Sequence, residues 1–483
     1  MSNKGMNFDR YHPVMGNSSL KEESKIDNKL IADMRATFYV TQRKKQFAPC
    51  VGHERLRAKL LKPKALDIPW LDFLRRDKAD LSLIANRLEL SEFPFFIRAV
   101  VPGTIMFPNE PFADITGPFA ETQMMEVDFE HAFDEPITVA GNALKMRLAA
   151  GSRHLSDFSL RRDGSLKRAL EVAKYSYIGG FDDTSNMEAA FQLNLNAVGT
   201  MAHCYVEVFM KFLHKLFSEK DEQGRNKHFQ QVGFERWLDT NPNGTTLLID
   251  TIDPRLGMIH AIRAAKSSPK RRKALKFVRL DSGNLGLIAK WISQMLDAND
   301  LNDVGIIVTG DVDEKEIKKV LDICPEVSGF GVGTKLAAET TVAGVIYKLC
   351  RIDNMHTLKC SATPGKETIP GIVQVWRCVR EENGEEYYVK DIISMLEEAV
   401  PRGDFKYAVP LLCKFYENGK FMPIPSPEKQ KQFVSEQLRK FRDIERYPVE
   451  LSKSLLYSKE RLIEMIKYDE IGTDGVIVVD YPN

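Results

Sequence analysis

The sequence predicts an α/β protein whose central part is a parallel sheet closed into a barrel, flanked by mixed α+β chain. Three observations point to it. From about residue 245 to 340, short β-branched runs recur about every 25–30 residues with helical stretches between most of them, the spacing of βαβ units. No G-x-G-x-x-G fingerprint appears, which disfavours an open dinucleotide-binding sheet and favours closure into a barrel. Beyond about residue 340 the alternation stops, and "GVIYKLCRID", "VQVWRCV" and "EEYYVKDI" suggest antiparallel strands with polar turns. The expected organisation is a mixed domain over 1–150, a barrel over 151–345 carrying the functional site, and 346–483 as strands returning to the first domain plus a helical tail.

Each element follows from local chemistry. The first 30 residues are polar and suggest an extended arm or a helix-capping segment. "RATFYVTQR" and "FPFFIRAV" are strands by their aromatic and β-branched content, and "IPWLDFLRRDKADLSLIANRL" is helical. After a Gly179–Gly180 turn, residues 186–216 suggest one long helical stretch. "TTLLIDT" is a strand followed by the helix "PRLGMIHAIRAAKSS", and "KFVRLDSG" a strand followed by "NLGLIAKWISQMLDAND", apolar at Leu285, Ile288, Ile292 and Leu296. "VGIIVTGD" precedes "VDEKEIKKVLDIC", and "VSGFGVGT" precedes another apolar stretch. The tail from Ser426 to Lys467 is helical and charged.

Composition narrows the function. Among 483 residues, 68 Lys+Arg against 67 Asp+Glu leave a charge of +1, so no global basic footprint marks a nucleic-acid partner. No run approaches 18 apolar residues and the start lacks a signal-peptide core, so no membrane association and a cytoplasmic location are expected. The seven cysteines are scattered without a C-x-x-C pair, consistent with reduced thiols. The nine histidines include no H-x-x-x-H pair, which disfavours a transition-metal enzyme.

The polar residues of the periodic stretch fall at strand ends. Asp250 and Asp253 end the first strand, Arg279 and Asp281 the second, Gly310 and Asp311 the third, Gly331 and Gly333 the fourth. Parallel α/β folds bind ligands at the carboxyl ends of their strands. Asp281 and Asp311 suit a ribose diol, or an Mg²⁺ that itself holds a diphosphate. "GFGVGT" offers unobstructed N–H groups to a phosphate monoester. Singly, Asp281-Ser282 also fits a helix cap and the glycines a turn; together at successive strand ends they describe a site for an activated ribose phosphate. Upstream, Arg161-Arg162 beside Phe158 can clamp a carboxylate while the ring stacks an aromatic, or form a solvated basic face. His203 alone carries little information.

The ordered motifs "DRYHPVM", "FPNEP", "GPFAETQ", "FSLRRDGS", "YIGGFDDTSN", "GTMAH", "LLIDT", "RLDSGN", "GDVDE", "GVGTKL", "GVIYKL", "GKETIPG" and "YPVELS" resemble the nicotinate phosphoribosyltransferase family from about Asp9 to Lys467. The resemblance implies the irregular α/β barrel of the type II phosphoribosyltransferases, with a mixed α+β amino-terminal domain and a carboxy-terminal extension. It implies a homodimer with shared active sites. It also implies a reaction in which nicotinate and phosphoribosyl pyrophosphate give nicotinate mononucleotide and diphosphate, with coupled ATP hydrolysis and Mg²⁺, in NAD synthesis. By the same resemblance Phe158 stacks on the pyridine ring, Tyr11 reaches the ring's other face across the dimer, and Arg161 lies near carboxylate and phosphate. Arg279 and Asp281 hold the ribose-phosphate substrate, Gly310, Gly333 and Thr334 cradle the 5′-phosphate, and His203 becomes phosphohistidine. Ser185 stands where nicotinamide-using relatives carry an aspartate, which implies selection of the acid over the amide. A nicotinamide- or quinolinate-using transferase and a non-catalytic metabolite-binding relative are the alternatives. Asn284 replaces a family acid and Asp183 a family glycine; the side chain of Asp183 is expected to point out of the pocket.

Overall fold

A computed structural model describes residues 8–61, 68–90, 95–213, 219–221, 224–338, 341–361 and 366–468. The chain divides into two units: 1–135 with 342–425 and 435–483, and 136–341 with 426–434. Among the described residues no helix is long and apolar enough to cross a membrane.

In the first unit the expected strands form as β1 (Arg35–Gln42), β2 (Phe96–Ala99) and β3 (Ala113–Pro118), neighbours in one antiparallel sheet in the order β1-β3-β2. The expected helices occupy Ile68–Arg75 and Ser82–Leu90. The polar start is not an extended arm throughout, because Tyr11–Ser19 is a helix. No apolar periodicity announces it. Its buried Asn17 is satisfied instead by tertiary bonds, donating to the Asp80 carbonyl at 3.0 Å and accepting from the Ile84 N–H at 3.2 Å.

The second unit contains six parallel strands: β4 (His154–Asp157), β5 (Asp183–Thr184), β6 (Thr245–Leu248), β7 (Leu275–Leu280), β8 (Gly305–Val308) and β9 (Gly329–Val332). They are hydrogen-bonded in the order β6-β7-β8-β9-β4-β5. Because β4, first in the chain, pairs with β9, the last, the order is cyclic, as in a barrel and unlike an open sheet. One seam is left between β5 and β6. Residues 194–202 fill it: Ala197 bridges Thr184, the Val198 N–H donates to the Thr184 carbonyl at 3.0 Å, and the Thr200 hydroxyl donates to the Thr246 carbonyl at 2.6 Å. This corrects the expectation of one long helix over 186–216. Two short helices, Met187–Leu193 and His203–Glu207, flank the seam segment, and the first ends at Asn194 in a left-handed conformation (φ 54°).

Helices cover this barrel tightly. A Cβ on Gly257, in the helix Pro254–Lys266, would lie 1.6 Å from the Ile249 carbonyl oxygen, so only glycine lets the helix sit against the end of β6.

Returning to the first unit, β10 (Val345–Ile352) pairs with β1. Next come β11 (Val373–Glu382), β12 (Glu385–Met395), β13 (Tyr407–Pro410) and β14 (Cys413–Glu417). β14 joins β2, completing with two short edge strands a seven-stranded sheet. The tail is helical at Pro427–Lys440 and Lys453–Tyr468, but β15 (Val449–Leu451) interrupts it and pairs with β12. Pro448 and the β-branched Val449 explain the break in a segment read as helical throughout.

Candidate active site at the carboxyl ends of the barrel strands

The predicted barrel residues sit at or just beyond strand ends. Phe158 and Arg161 follow β4, Ser185 follows β5, Asp281 follows β7 with Arg279 inside it, Gly310 and Asp311 follow β8, and Gly333 and Thr334 follow β9. Side chains sew these ends together. The Asp250 carboxylate, beyond β6, accepts from the Asp281 N–H at 3.0 Å and the Ser282 hydroxyl at 2.7 Å through one oxygen. Asp281 in turn accepts a bond from the Thr309 hydroxyl at the end of β8. Asp281 is not a helix cap: Asn284 caps Leu285–Asp297, its side-chain oxygen accepting from the Leu287 N–H at 3.3 Å. Gly310 takes φ 107°, and a Cβ there would lie 2.7 Å from the Asp281 carbonyl oxygen.

The electrostatics are unsaturated. Burial lowers the pKa of the Arg279 guanidinium, opposed by the nearby Asp281 and Asp250 carboxylates and reinforced by Arg161. Those four charges therefore share one neighbourhood. The Arg279 Nε and the Asp250 Oδ1 are buried without a hydrogen-bond partner among the described residues. Buried orphan groups of opposite character are costly unless a ligand supplies an acceptor for one and a donor for the other.

On the β4 side, the Phe158 N–H donates to the Val332 carbonyl at 2.8 Å, which ties the ring to β9. A Cβ on Gly331 would lie 2.5 Å from the Phe158 ring, so that glycine is what lets the aromatic lie across β9. Below it the buried Asp157 carboxylate accepts from the Ser159 N–H at 2.9 Å and the Thr184 hydroxyl at 2.8 Å, while the Asp157 carbonyl accepts from the Ser185 N–H at 2.8 Å. Burial, partly offset by these bonds, raises the Asp157 pKa. Asp183 is buried and bonded to His154 Nε2, at the start of β4, at 2.5 Å; that bond raises the pKa of His154. His203 begins its short helix at the exit of the seam, with Nδ1 at 3.2 Å from the Thr251 hydroxyl oxygen. Arg161 is exposed in the 3₁₀ turn Leu160–Arg162. Tyr11 belongs to the first unit, where it is 47% exposed and donates to Glu126 at 2.6 Å.

Three contributors were not singled out from sequence: Asp157, Thr251 and Thr309. Their signal is a polar side chain at the last position of a buried run, in "HLSD", "LLIDT" and "IIVTG".

The cyclic strand order and the anion-suited strand ends define a type II phosphoribosyltransferase barrel. Solved structures share the architecture: human nicotinic acid phosphoribosyltransferase at a TM-score of 0.70 and 20% identity, over 94% of this chain and 99% of that one. Nicotinate-nucleotide pyrophosphorylase from Pyrococcus furiosus aligns at a TM-score of 0.63 and 21% identity, over 91% of this chain and 99% of that one. The nicotinate phosphoribosyltransferase (NAPRTase) family model matches residues 153–361. A nicotinate phosphoribosyltransferase of Mycobacterium tuberculosis is 31% identical over 365 residues, covering 73% of this chain and 72% of the relative. The chain belongs to the nicotinate phosphoribosyltransferase family.

Proposed function

We propose that this chain forms nicotinate mononucleotide and diphosphate from nicotinate and phosphoribosyl pyrophosphate, with ATP as co-substrate. The observation that carries the reading is the unsatisfied Arg279–Asp250 pair beside Asp281 and Gly310, in a barrel of this family. In the transfer, the pyridine nitrogen lone pair bonds to C1 of the ribose while the C1–oxygen bond breaks, and its electron pair leaves with the diphosphate. The nucleophile needs no deprotonation, so positioning and charge complementarity supply the rate.

The roles follow from place. Phe158 stacks the ring over Gly331, and Ser185 presents a neutral hydroxyl to the carboxylate with Arg161 supplying positive charge. Asp281 accepts from the ribose diol; Gly310, Gly333 and Thr334 receive the 5′-phosphate, with Asp311 beside them. Arg279 donates to substrate oxygens. His203, at the seam, accepts the γ-phosphoryl group of ATP on a ring nitrogen, as the bond from the γ-phosphorus to the bridging oxygen breaks and ADP leaves. Mg²⁺ is commonly held by one or two carboxylates plus substrate phosphates. Asp250, whose buried Oδ1 has no hydrogen-bond partner among the described residues, and the neighbouring Asp281 are the carboxylates that would hold such a shared ion. It would neutralise charge on the departing diphosphate.

A homodimer is supported by apolar side chains at the first turns of the helices that follow barrel strands. Leu166 is 81% exposed, Met187 71% and Leu287 59%, and Phe191 on the same helix as Met187 is 84% exposed. First turns lie at the carboxyl ends of the preceding strands, so a second copy would cover the mouth of the site, and Tyr11 of that copy is the candidate for the ring's other face. The seven free cysteines fit a reducing, cytoplasmic setting.

The test is product formation from nicotinate with and without ATP, together with labelling by ATP carrying a radioactive γ-phosphate. Wild type should form the mononucleotide faster with ATP and acquire an acid-labile label. His203→Ala should lose the label and the coupled hydrolysis while keeping slow, ATP-independent transfer; full coupling in that variant contradicts the role of His203.

A further inference from the structure

A cavity of about 500 Å³ lies on one face of the seven-stranded sheet in the first unit. Its floor is a row of side chains fixed by register: Arg351 of β10 is opposite Thr37 of β1, Thr37 is opposite Thr116 of β3, and Thr116 is opposite Phe96 of β2. Three interstrand steps of about 4.8 Å set the row at roughly 14 Å from end to end. Along it the chemistry changes from cation to hydroxyl pair to aromatic ring.

The charges are arranged for an anion at one end. The Arg35 guanidinium, at the start of β1, is exposed and makes no hydrogen bond or ion pair among the described residues. Arg351 donates through Nε to the Asp353 carbonyl at 2.8 Å, reaches Asn354 at 3.4 Å and forms a partly exposed ion pair with Glu397 at 3.5 Å, so the Arg35 guanidinium is the cation of this end that has no side-chain partner among the described residues. The two acids of the lining are already matched: Asp353 accepts from Lys29 at 3.0 Å and from the Arg35 N–H at 2.8 Å, and Asp114 is held through both oxygens by the buried Arg98. In the middle, the Thr37 and Thr116 hydroxyls bond each other at 2.9 Å, which leaves one O–H and free lone pairs for a ligand. At the far end Phe96 is half-buried, and Ile372 and Leu396 extend the apolar lining.

We propose that this cavity is a binding site for a nucleoside monophosphate, separate from the barrel site. The phosphate meets Arg35 and Arg351, the ribose hydroxyls meet Thr37 and Thr116, and the base stacks on Phe96. The order and length of the row match those three parts of one molecule, and the volume lies within the range of small-ligand sites. Stacking on Phe96 offers no hydrogen-bond code, so the site is tolerant of the base. The product of the proposed reaction is itself a nucleoside monophosphate, which makes feedback a natural use.

The experiment is calorimetric titration of the full chain with adenosine 5′-monophosphate, ribose 5-phosphate and adenosine. Wild type should bind the monophosphate at one site per chain, and each fragment more weakly by at least about tenfold. Arg35→Glu, at an exposed and unpaired position, should weaken the monophosphate and ribose 5-phosphate by at least about tenfold and adenosine little. Phe96→Ala, or Phe96→Leu should the smaller residue fail to fold, should bring the monophosphate down to the affinity of ribose 5-phosphate. Asp281→Asn should leave all of these unchanged. No binding to wild type at millimolar ligand overturns the proposal. So does binding lost in Asp281→Asn but kept in Arg35→Glu, which places the ligand in the barrel, and so does equal affinity for ribose 5-phosphate and the monophosphate, which leaves only a phosphate site.

Discussion

At the scale of single residues, Asp281 and Gly331 do different work. Asp281 is held by Thr309 and positioned through its N–H by Asp250, so Asp281→Asn should keep the fold and lose a charged acceptor. Such a bond contributes about 1.5–3 kcal/mol, so kcat/KM for phosphoribosyl pyrophosphate should fall about ten- to hundredfold with little change in thermal midpoint. An unaltered kcat/KM would reduce Asp281 to a structural link between β7 and β8. Gly331→Ala places a Cβ 2.5 Å from the Phe158 ring and must move it. KM for nicotinate should rise several-fold while KM for the ribose phosphate stays near wild type; equal effects on both would deny Phe158 its stacking role. The strand-end positions of Asp281, Arg279 and Gly310 were legible in the sequence because each closes an apolar run that reads as a strand. Asp157 and Thr309 also close such runs, but what they hold could not be read there, since their partners lie 27 and 28 residues away.

At the scale of elements, the barrel's strands and helices were legible because the period of apolar residues changes from 2 to 3.6 and back. The seam was not. Residues 194–202 hold weak helix formers in Asn194, Asn196, Val198, Gly199 and Thr200, a local signal against one long helix, but their place in the gap between β5 and β6 is a tertiary fact. The polar helix Tyr11–Ser19 escaped for the same reason, its Asn17 being satisfied by residues more than 60 positions away. The glycine in the helix Pro254–Lys266 marks how closely that element is seated. Gly257→Ala would press a methyl group into the Ile249 carbonyl, and overpacking against backbone, which cannot rotate away, should cost at least about 1–3 kcal/mol. The denaturant midpoint should drop accordingly, whereas Gly164→Ala, with nothing within 4 Å of the new Cβ, should be nearly neutral. Equal midpoints for the two variants would contradict the packing of helix on β6.

For the molecule as a whole, acid should destabilise the fold through histidines that are neutral when buried. Burial lowers His53 to about 4, and burial together with His228 and Arg263 lowers His260 to about 4. The unfolded chain binds these protons near pH 6.5, so between about 6.5 and 4 it carries more protons than the native state and stability falls as pH falls. Each histidine contributes a slope of up to roughly 1.4 kcal/mol per pH unit. His260→Gln should flatten the urea midpoint over that window, and an unchanged slope would show that His260 is protonated in the native state. Substrate choice also belongs to the molecule as a whole. In the proposed function Ser185 and Arg161 favour a carboxylate, and an aspartate at 185 would repel it. The most direct measurement is kcat/KM for nicotinate and for nicotinamide, with ATP present, in wild type and Ser185→Asp. Wild type should prefer nicotinate, and the variant should lose at least about tenfold on nicotinate, equivalent to roughly 1.4 kcal/mol. A wild-type preference for nicotinamide would contradict the account.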